Sequence, residues 1–287
     1  MARNTTVVTR RNYLRRLGDS LVGTLIGLAL IVASVAVVFW NEGRAVEASR
    51  GLAAGERVAI SLPQPTVSPT NEGRLVHLSG PVVTSSAVTD RDTGAVFPAA
   101  LGVQRTVEMF QWIQTASSQT QDKLGGTQET TTTYSYAPGW SDAPQDSSTF
   151  AEPQGHTNPA FAFRSQAYFA ADARMGGFAV SQALLEQVPA ETPVRPNVIP
   201  QGWVQTETGL FRGTGTAASP RIGDIRVSYR QLPSGTVMSV LGQQSGTGLT
   251  SWTAPGSDYS LLTARPGSVA ADAMFADQKS SEGLVTW

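Results

Sequence analysis

The side chains able to move protons or hold metals are few and scattered along this chain. His77 and His156 are its two histidines, and it has no cysteine. A three-histidine metal site, a thiolate site, a disulfide and a cysteine nucleophile are excluded. A Ser-His-Asp arrangement has two possible bases. His156 stands in "GHTNPAF", beside an Asn-Pro turn. It could serve as a general base, but a histidine in such a loop more often fixes a turn by bonding to backbone. His77 lies between Val76 and Leu78 in a strand-like run, where a packed, hydrogen-bonded ring is expected. The carboxylates are dispersed, with no Asp-x-Asp-x-Asp-Gly spacing for a cation. Gly213 and Gly215 form a GxG in "GLFRGTGTAAS", without the third glycine or following helix that a phosphate cradle needs. Ser181 and the other serines lack a Gly-x-Ser-x-Gly elbow. The expectation is a non-enzyme with no catalytic set, metal or cofactor.

Glu108 is the charge that most needs an explanation. It sits in "RTVEMFQW", with Val107 and Met109 on one side of a strand and Phe110 and Trp112 on the other. A carboxylate on a largely buried strand requires a partner. Arg44, Arg74 and Arg226 are candidates, and spacing does not choose among them. The aromatics also admit a ligand-pocket reading, with Phe110, Trp112, Trp203 and Trp252 as lining.

The elements that must position these residues begin with a membrane segment. Leu21 to Trp40 run 20 residues without a charge, enough to cross a hydrocarbon core of about 30 Å as a helix. Arg10, Arg11, Arg15 and Arg16 stand before it, whereas Glu42 and Glu47 join Arg44 and Arg50 behind it. The positive-inside bias places residues 1–20 in the cytoplasm as a basic tail, with Asn41 onward outside. A signal peptide is the rival reading, since "VASVA" offers a cleavage site. Its apolar region is typically about 7–15 residues, and the closing Phe39-Trp40 pair suits a retained interfacial anchor. Gly23 and Gly27 form a small-xxx-small spacing at which helices could approach.

The remaining chain is α+β: the single transmembrane helix precedes a β-dominated extracytoplasmic domain with a few helices. Residues 41–56 read as a juxtamembrane helix ending near Gly55, with Glu47 and Arg50 as an i,i+3 pair. "SLPQPTVSPT" (61–70) is an extended connector, and residues 57–267 form the β-rich domain. Residues 104–115 and 127–137 read as partner strands across the loop "ASSQTQDKLGG". "GDIRVSYRQ" alternates, with Ile225, Val227 and Tyr229 on one face. A "PSG" turn predicts a hairpin into residues 236–244. Helices are expected over 181–188, capped by Ser181, and 268–283, capped by Ser268. Charged residues are 15% of the chain and net charge is −1, so no basic stripe points to nucleic acid.

One tetrapeptide occurs twice: Asn41-Glu42-Gly43-Arg44 and Asn71-Glu72-Gly73-Arg74. The sequences after each arginine differ, which argues against a duplicated unit. The first copy is expected in helix at the membrane surface. The second is expected to enter a strand with Glu72, Arg74 and Val76 on one face. Both pairs are candidates to meet charges at the base of the domain or across a subunit boundary.

Several phrases together resemble one family. "NEGRAVE", "NEGRLVHLSG", "RTVEMFQW", "TTYSYAPGW", "GHTNPAF", "GDIRVSY" and "DQKSSEGLVTW", in this order over residues 35–287, are similar to the transmembrane protein 43 (LUMA) family. The phrases carry His77, Glu108, Trp112, His156, Asn158, Gly223, Asp224 and Arg226 as motif residues for structure or interfaces. The resemblance implies an N-terminal helix, a large lumenal or periplasmic domain and C-terminal membrane helices. It also implies self-association and envelope organisation in endoplasmic reticulum and inner nuclear membrane, with no catalytic residues to carry over. The chain ends at Trp287, before those C-terminal helices, which are either removed or naturally lacking, and residues 268–287 would lead toward that missing membrane segment. Composition suits a bacterial member of the inner membrane. Three functions follow: a self-associating scaffold, contacting the bilayer and possibly other membrane proteins; a sensor binding a ligand or lipid; or a hydrolase using His156.

Overall fold

The computed structural model describes residues 5–11, 13–123 and 127–281. The side chains of Arg11, Arg15, Arg16 and Leu21, the tip Leu124–Gly126 and the segment past Ser281, including Gly283, lie outside the described residues. The main elements are strand β1 (Thr5–Arg11), helix α1 (Tyr13–Val58) and strands β2 (Leu75–Val83), β3 (Ala100–Asp122) and β4 (Gln128–Ser141). Helix α2 (Gln182–Leu185), strands β5 (Gly209–Arg212), β6 (Ile225–Pro233) and β7 (Val237–Ser245), and helix α3 (Ala271–Ser281) follow. The strand-rich α+β architecture is as the sequence predicts.

Helix α1 is continuous from the apolar run to Val58. The expected end at Gly55 does not occur. A β-carbon there would come within 3.1 Å of Trp252 and 3.2 Å of Phe275, so glycine serves close packing inside the helix. The apolar segment from Val22 has an 18-residue window of mean hydropathy 2.6, none of it buried by protein. Gly23 and Gly27 face open space. Such a surface is unstable in water and suited to lipid.

The chain divides into two compact units. The first comprises residues 1–39, 107–164 and 211–227. Its frame is the antiparallel β3–β4 ribbon, paired from Met109↔Ser141 to Asp122↔Gln128. Most of the expected loop "ASSQTQDKLGG" is therefore strand. Its Ser and Thr residues, polar on both faces, pair hydroxyls across the ribbon: Thr115 with Ser135, Ser118 with Thr132, and Thr120 with Thr130 at 2.9, 2.9 and 3.0 Å. Residues 5–11, expected as part of a tail, form β1 and pair with β4 from Thr5↔Tyr134 to Arg11↔Gln128.

The second unit comprises residues 40–106, 165–210 and 228–287. Its seven-stranded sheet runs Phe178–Ala179, Arg174–Met175, β2, β7, Gly248–Thr250; Thr263–Pro266 also pairs with β7, and Ile60–Ser61 pairs in parallel with β2. Its core cluster packs Val76, Leu78, Val82, Met175, Phe178, Met238 and Val240 of the strands against Leu184 of α2, all 0% exposed, with Val180 and Val188 at its margin. A second cluster joins Leu52 of α1 to Leu75, Leu241, Trp252, Leu261 and the α3 residues Met274 and Phe275. Ala48, Gly51, Leu52 and Gly55 form the i, i+3, i+4, i+7 stripe that this contact requires. The expected β6–β7 hairpin is a correction. β7 pairs with β2, Gly248–Thr250 and Thr263–Pro266, whereas β6 belongs to a different sheet. The Pro233–Val237 segment is a corner, held by Ser234 N–H to Ala99 O and Gly235 N–H to Val82 O at 2.8 and 2.7 Å. Helices α2 and α3 are shorter than expected, and Ser181 makes no side-chain cap bond.

Candidate functional site

In the first unit, seven of the motif residues converge. Arg226 is the partner of Glu108: Nε and Nη2 donate to the two carboxylate oxygens at 2.6 and 2.8 Å. The same guanidinium lies 4.7 Å from the centre of the Trp140 ring. With side chains 45% and 27% exposed, this pair fixes geometry more than it adds stability. Beside it, Phe110 N–H donates to Asp224 O and Gly223 N–H to Phe110 O, both at 2.8 Å. The Asp224 carboxylate accepts from the N–H groups of Thr214, Gly215 and Arg221 at 2.8, 3.1 and 2.7 Å. A β-carbon on Gly213 or Gly215 would overlap that carboxylate. The GxG loop is thus an anion cradle filled by the chain's own Asp224.

Asn158 substitutes for a neighbouring strand. Its Oδ1 accepts from Trp112 N–H at 2.7 Å, while Nδ2 donates to Trp112 O and Gln145 O at 2.9 and 3.2 Å. The His156 ring stacks on Tyr136 at 4.1 Å and meets Trp112 edge-on at 4.8 Å. Its Nδ1 lies 3.0 Å from Glu152 O. This imidazole is engaged by rings and a backbone carbonyl, a turn-fixing arrangement.

In the second unit, the two tetrapeptides adopt unlike structures. Asn41 to Arg44 are exposed helix residues. The second copy is not strand: Pro69–Asn71 is a 3-10 turn capped by Ser68, and Gly73 has φ +73°. Glu72 accepts from Gly246 N–H at 3.0 and 3.1 Å, Gly73 N–H donates to Gln244 O at 3.0 Å, and Gln243 Nε2 donates to Gly73 O at 2.8 Å. The tetrapeptide clips the connector to the end of β7. Glu47 does not pair with Arg50 and accepts instead from Ser257 Oγ and Asp258 N–H at 3.2 and 3.0 Å. His77 Nε2 lies 2.9 Å from Val269 O, and Nδ1 lies 3.3 Å from Ser61 Oγ. Burial lowers its pKa, against the raising effects of the Val269 carbonyl and Asp272. Of the four proposed lining rings, Trp252 is core and Trp112 is tied to His156.

Sequence reasoning missed the most deeply buried charges. Arg105 donates from Nη1 to Asp90 and from Nη2 to Asp92, each at 2.6 Å, and the Arg105 and Asp90 side chains are fully buried. Thr93 Oγ1 and Tyr229 OH also donate to Asp90, at 2.8 and 2.9 Å, and Tyr168 OH donates to Asp92 at 3.1 Å. Burial alone raises the Asp90 carboxyl, but these donors outweigh it and hold it below the ordinary carboxylate range. Burial and the adjoining carboxylates push both tyrosines well above theirs. Residues Asp90 to Gly94 form a turn in which Asp90 Oδ1 accepts from Asp92 N–H at 3.0 Å. A legible signal existed: Arg105 shares the odd-numbered face of β3 with the buried Val103, Val107 and Met109.

Among the described residues, no group of three or more His, Cys, Asp or Glu side chains could hold a metal ion. His77, His156, Asp224 and Glu108 are engaged in bonds that shape loops, turns and strand edges. The comparisons with known proteins agree with a membrane assignment. A family model described as Transmembrane protein 43 matches residues 109–287. The chain is 30% identical to Transmembrane protein 43 of Rattus norvegicus over 288 residues, covering 96% of this chain and 71% of that protein. It is 30% identical to the Homo sapiens protein over 288 residues, with the same coverage. The Drosophila melanogaster homolog is 29% identical over 270 residues, covering 92% of this chain and 71% of its own length. No solved structure matches.

Proposed function

The chain belongs to the transmembrane protein 43 family, and we propose that this membrane protein is a non-enzymatic, self-associating scaffold anchored by α1. The observation that carries the reading is the apolar run, unburied by protein, continuing without a break into the packed stripe Ala48–Gly55. One helix can therefore couple the bilayer to the second unit. The engagement of His156, Asp224 and Glu108 in structural bonds supports a non-enzyme. Mass measurement of the full chain in several mild detergents tests self-association. Dimers or larger particles are expected, and a strict monomer in every detergent would overturn it.

The positive-inside bias supports a cytoplasmic N-terminus and a periplasmic or lumenal domain. That topology separates β1 from β4, because one precedes the span and the other follows it. β1 is a single edge strand of its sheet, and transfer of the uncharged run from water into lipid is the larger gain that outweighs the β1–β4 pairing. Val8 and Thr131 are paired in register. In a Val8→Cys/Thr131→Cys variant, a disulfide is expected in detergent and not in native membranes; its formation in membranes would overturn the topology.

A second reading, ligand binding, has one specific support. A cleft of about 510 Å³ is lined by Val103, Phe169, Val188 and Leu232 with Gln104 and Glu186 at its polar side, within the size of small-molecule sites.

A further inference from the structure

A separate cleft of about 360 Å³ opens on α1 just beyond the apolar run, lined by Gly43, Glu47, Arg50 and Gly51 and by the turn Ala254–Ser257. Trp40 is the last residue of the uncharged run. At about 1.5 Å per residue, Gly43 stands roughly 4.5 Å past it and Arg50 roughly 15 Å. The headgroup layer adds about 5–8 Å to each side of the hydrocarbon core. Helical side chains slant toward the helix N-terminus, here toward the bilayer. Glu47 and Arg50 therefore slant toward the headgroup layer, and Gly43, at the mouth of the cleft, falls within its depth.

The charges of the cleft are held apart and open. Glu47 receives both its hydrogen bonds on Oε1, leaving Oε2 without a partner among the described residues. Arg50, one turn along, makes no ion pair or hydrogen bond among the described residues. The recess is open at Gly43, where a β-carbon would meet nothing within 4 Å, and at Gly51 a β-carbon would collide with the Tyr259 ring packed against the helix. One free carboxylate oxygen beside one free guanidinium, with no net charge, complements a zwitterion carrying a phosphate and a proton-donating amine.

We propose that this cleft binds the phosphoethanolamine headgroup of a bilayer lipid, Arg50 holding the phosphate and the Glu47 carboxylate accepting from the ammonium. Phosphatidylcholine fits less well because its quaternary ammonium has no N–H to donate. The proposal rests on α1 spanning the membrane and is independent of self-association.

The test titrates the full chain in nonionic detergent with short-chain phosphatidylethanolamine or phosphatidylcholine, counting retained lipids by native mass spectrometry. Tighter retention of the ethanolamine lipid is expected. A charge-assisted hydrogen bond contributes about 1.5–3 kcal/mol, so Arg50→Gln should weaken that retention by about 10- to 100-fold. Glu47→Gln, which keeps an oxygen for Ser257 and Asp258, should abolish the preference over phosphatidylcholine. Gly43→Leu, whose β-carbon meets nothing within 4 Å and whose side chain narrows the mouth, should also abolish retention, whereas Arg74→Gln should not change it. Equal retention of both lipids by the unsubstituted chain, or equal losses for Arg74→Gln and Arg50→Gln, would overturn the proposal. A further arm uses free phosphoethanolamine: binding as tight as that of the lipid would assign the cleft to a soluble ligand and likewise overturn it.

Discussion

Removing Arg105 tests whether the buried charge network is needed because of what its loss exposes. Arg105→Met keeps most of the side-chain volume but strips the guanidinium from Asp90, whose side chain, like that of Arg105, is fully buried. Asp90 retains Thr93 Oγ1 and Tyr229 OH at 2.8 and 2.9 Å, so its carboxylate remains bonded but has lost its countercharge. Breaking a buried pair from one side costs about 3–5 kcal/mol. The retained donors place the expected loss near the lower limit, about 3 kcal/mol. At roughly 2–4 °C per kcal/mol for a domain of this size, the midpoint should fall by about 6–12 °C. Asp90→Asn/Arg105→Met removes both charges and should recover at least about 1 kcal/mol of that loss.

The assay is denaturation of the full chain in detergent, followed by tryptophan fluorescence. Its pH dependence carries a sign. The folded Asp90 carboxyl lies below its unfolded value, so its contribution is present above about pH 4 and is lost as pH falls through the folded value. Without Arg105, one cause of that depression is gone, so the acid loss should be smaller and should be complete at a higher pH. A single-variant loss under about 1 kcal/mol, or strict additivity in the double variant, would refute the reasoning.

Asn158→Ala strips Trp112 of both its backbone bonds; about 1–3 kcal/mol of stability should be lost, and amide exchange at Trp112 should accelerate, which mass-resolved hydrogen exchange can read. His77 has a folded pKa below its ordinary value because of burial. The unfolded chain therefore takes up the proton first as pH falls below about 6.5, and stability declines over that interval. The decline should be shallower in His77→Gln, measured as thermal midpoints between about pH 7.5 and 5.5.

What could be read from the sequence followed the strength of its periodic signals. The alternation in "GDIRVSYRQ" located β6 and its buried face, and the same period should have flagged Arg105 as an arginine in an apolar row. The β3–β4 ribbon was underestimated because Ser, Thr and Gln occupy both faces of its outer half. Without an apolar face, such a strand has the composition of a loop, and its hydroxyl pairs are visible only once the register is known. The "PSG" turn misled for a different reason. A tight turn fixes local chain reversal, but β7 bonds to β2, Thr263–Pro266 and the following Gly248–Thr250, and not to the strand before the turn. Glu108 likewise needed the fold to choose Arg226, since pairing at a separation of 118 residues leaves no local trace.

The doubled Asn-Glu-Gly-Arg shows how far context overrides identity, and its glycines give opposite predictions. Gly43 lies inside a helix with nothing near its missing β-carbon, where glycine costs roughly 0.5–1 kcal/mol relative to alanine. Gly43→Ala should therefore stabilise the chain by up to that amount. Gly73 has φ +73°, a left-handed conformation that costs an L side chain about 1–2 kcal/mol. Its N–H and O are both bonded, to Gln244 and Gln243 at 3.0 and 2.8 Å, so the turn cannot relax without releasing the clip on β7. Gly73→Ala should be destabilising by about 1 kcal/mol or more. Thermal midpoints of the two full-length variants in one detergent decide the matter. Shifts of the same sign would mean that the two copies share a backbone conformation, contrary to the helix and turn described here.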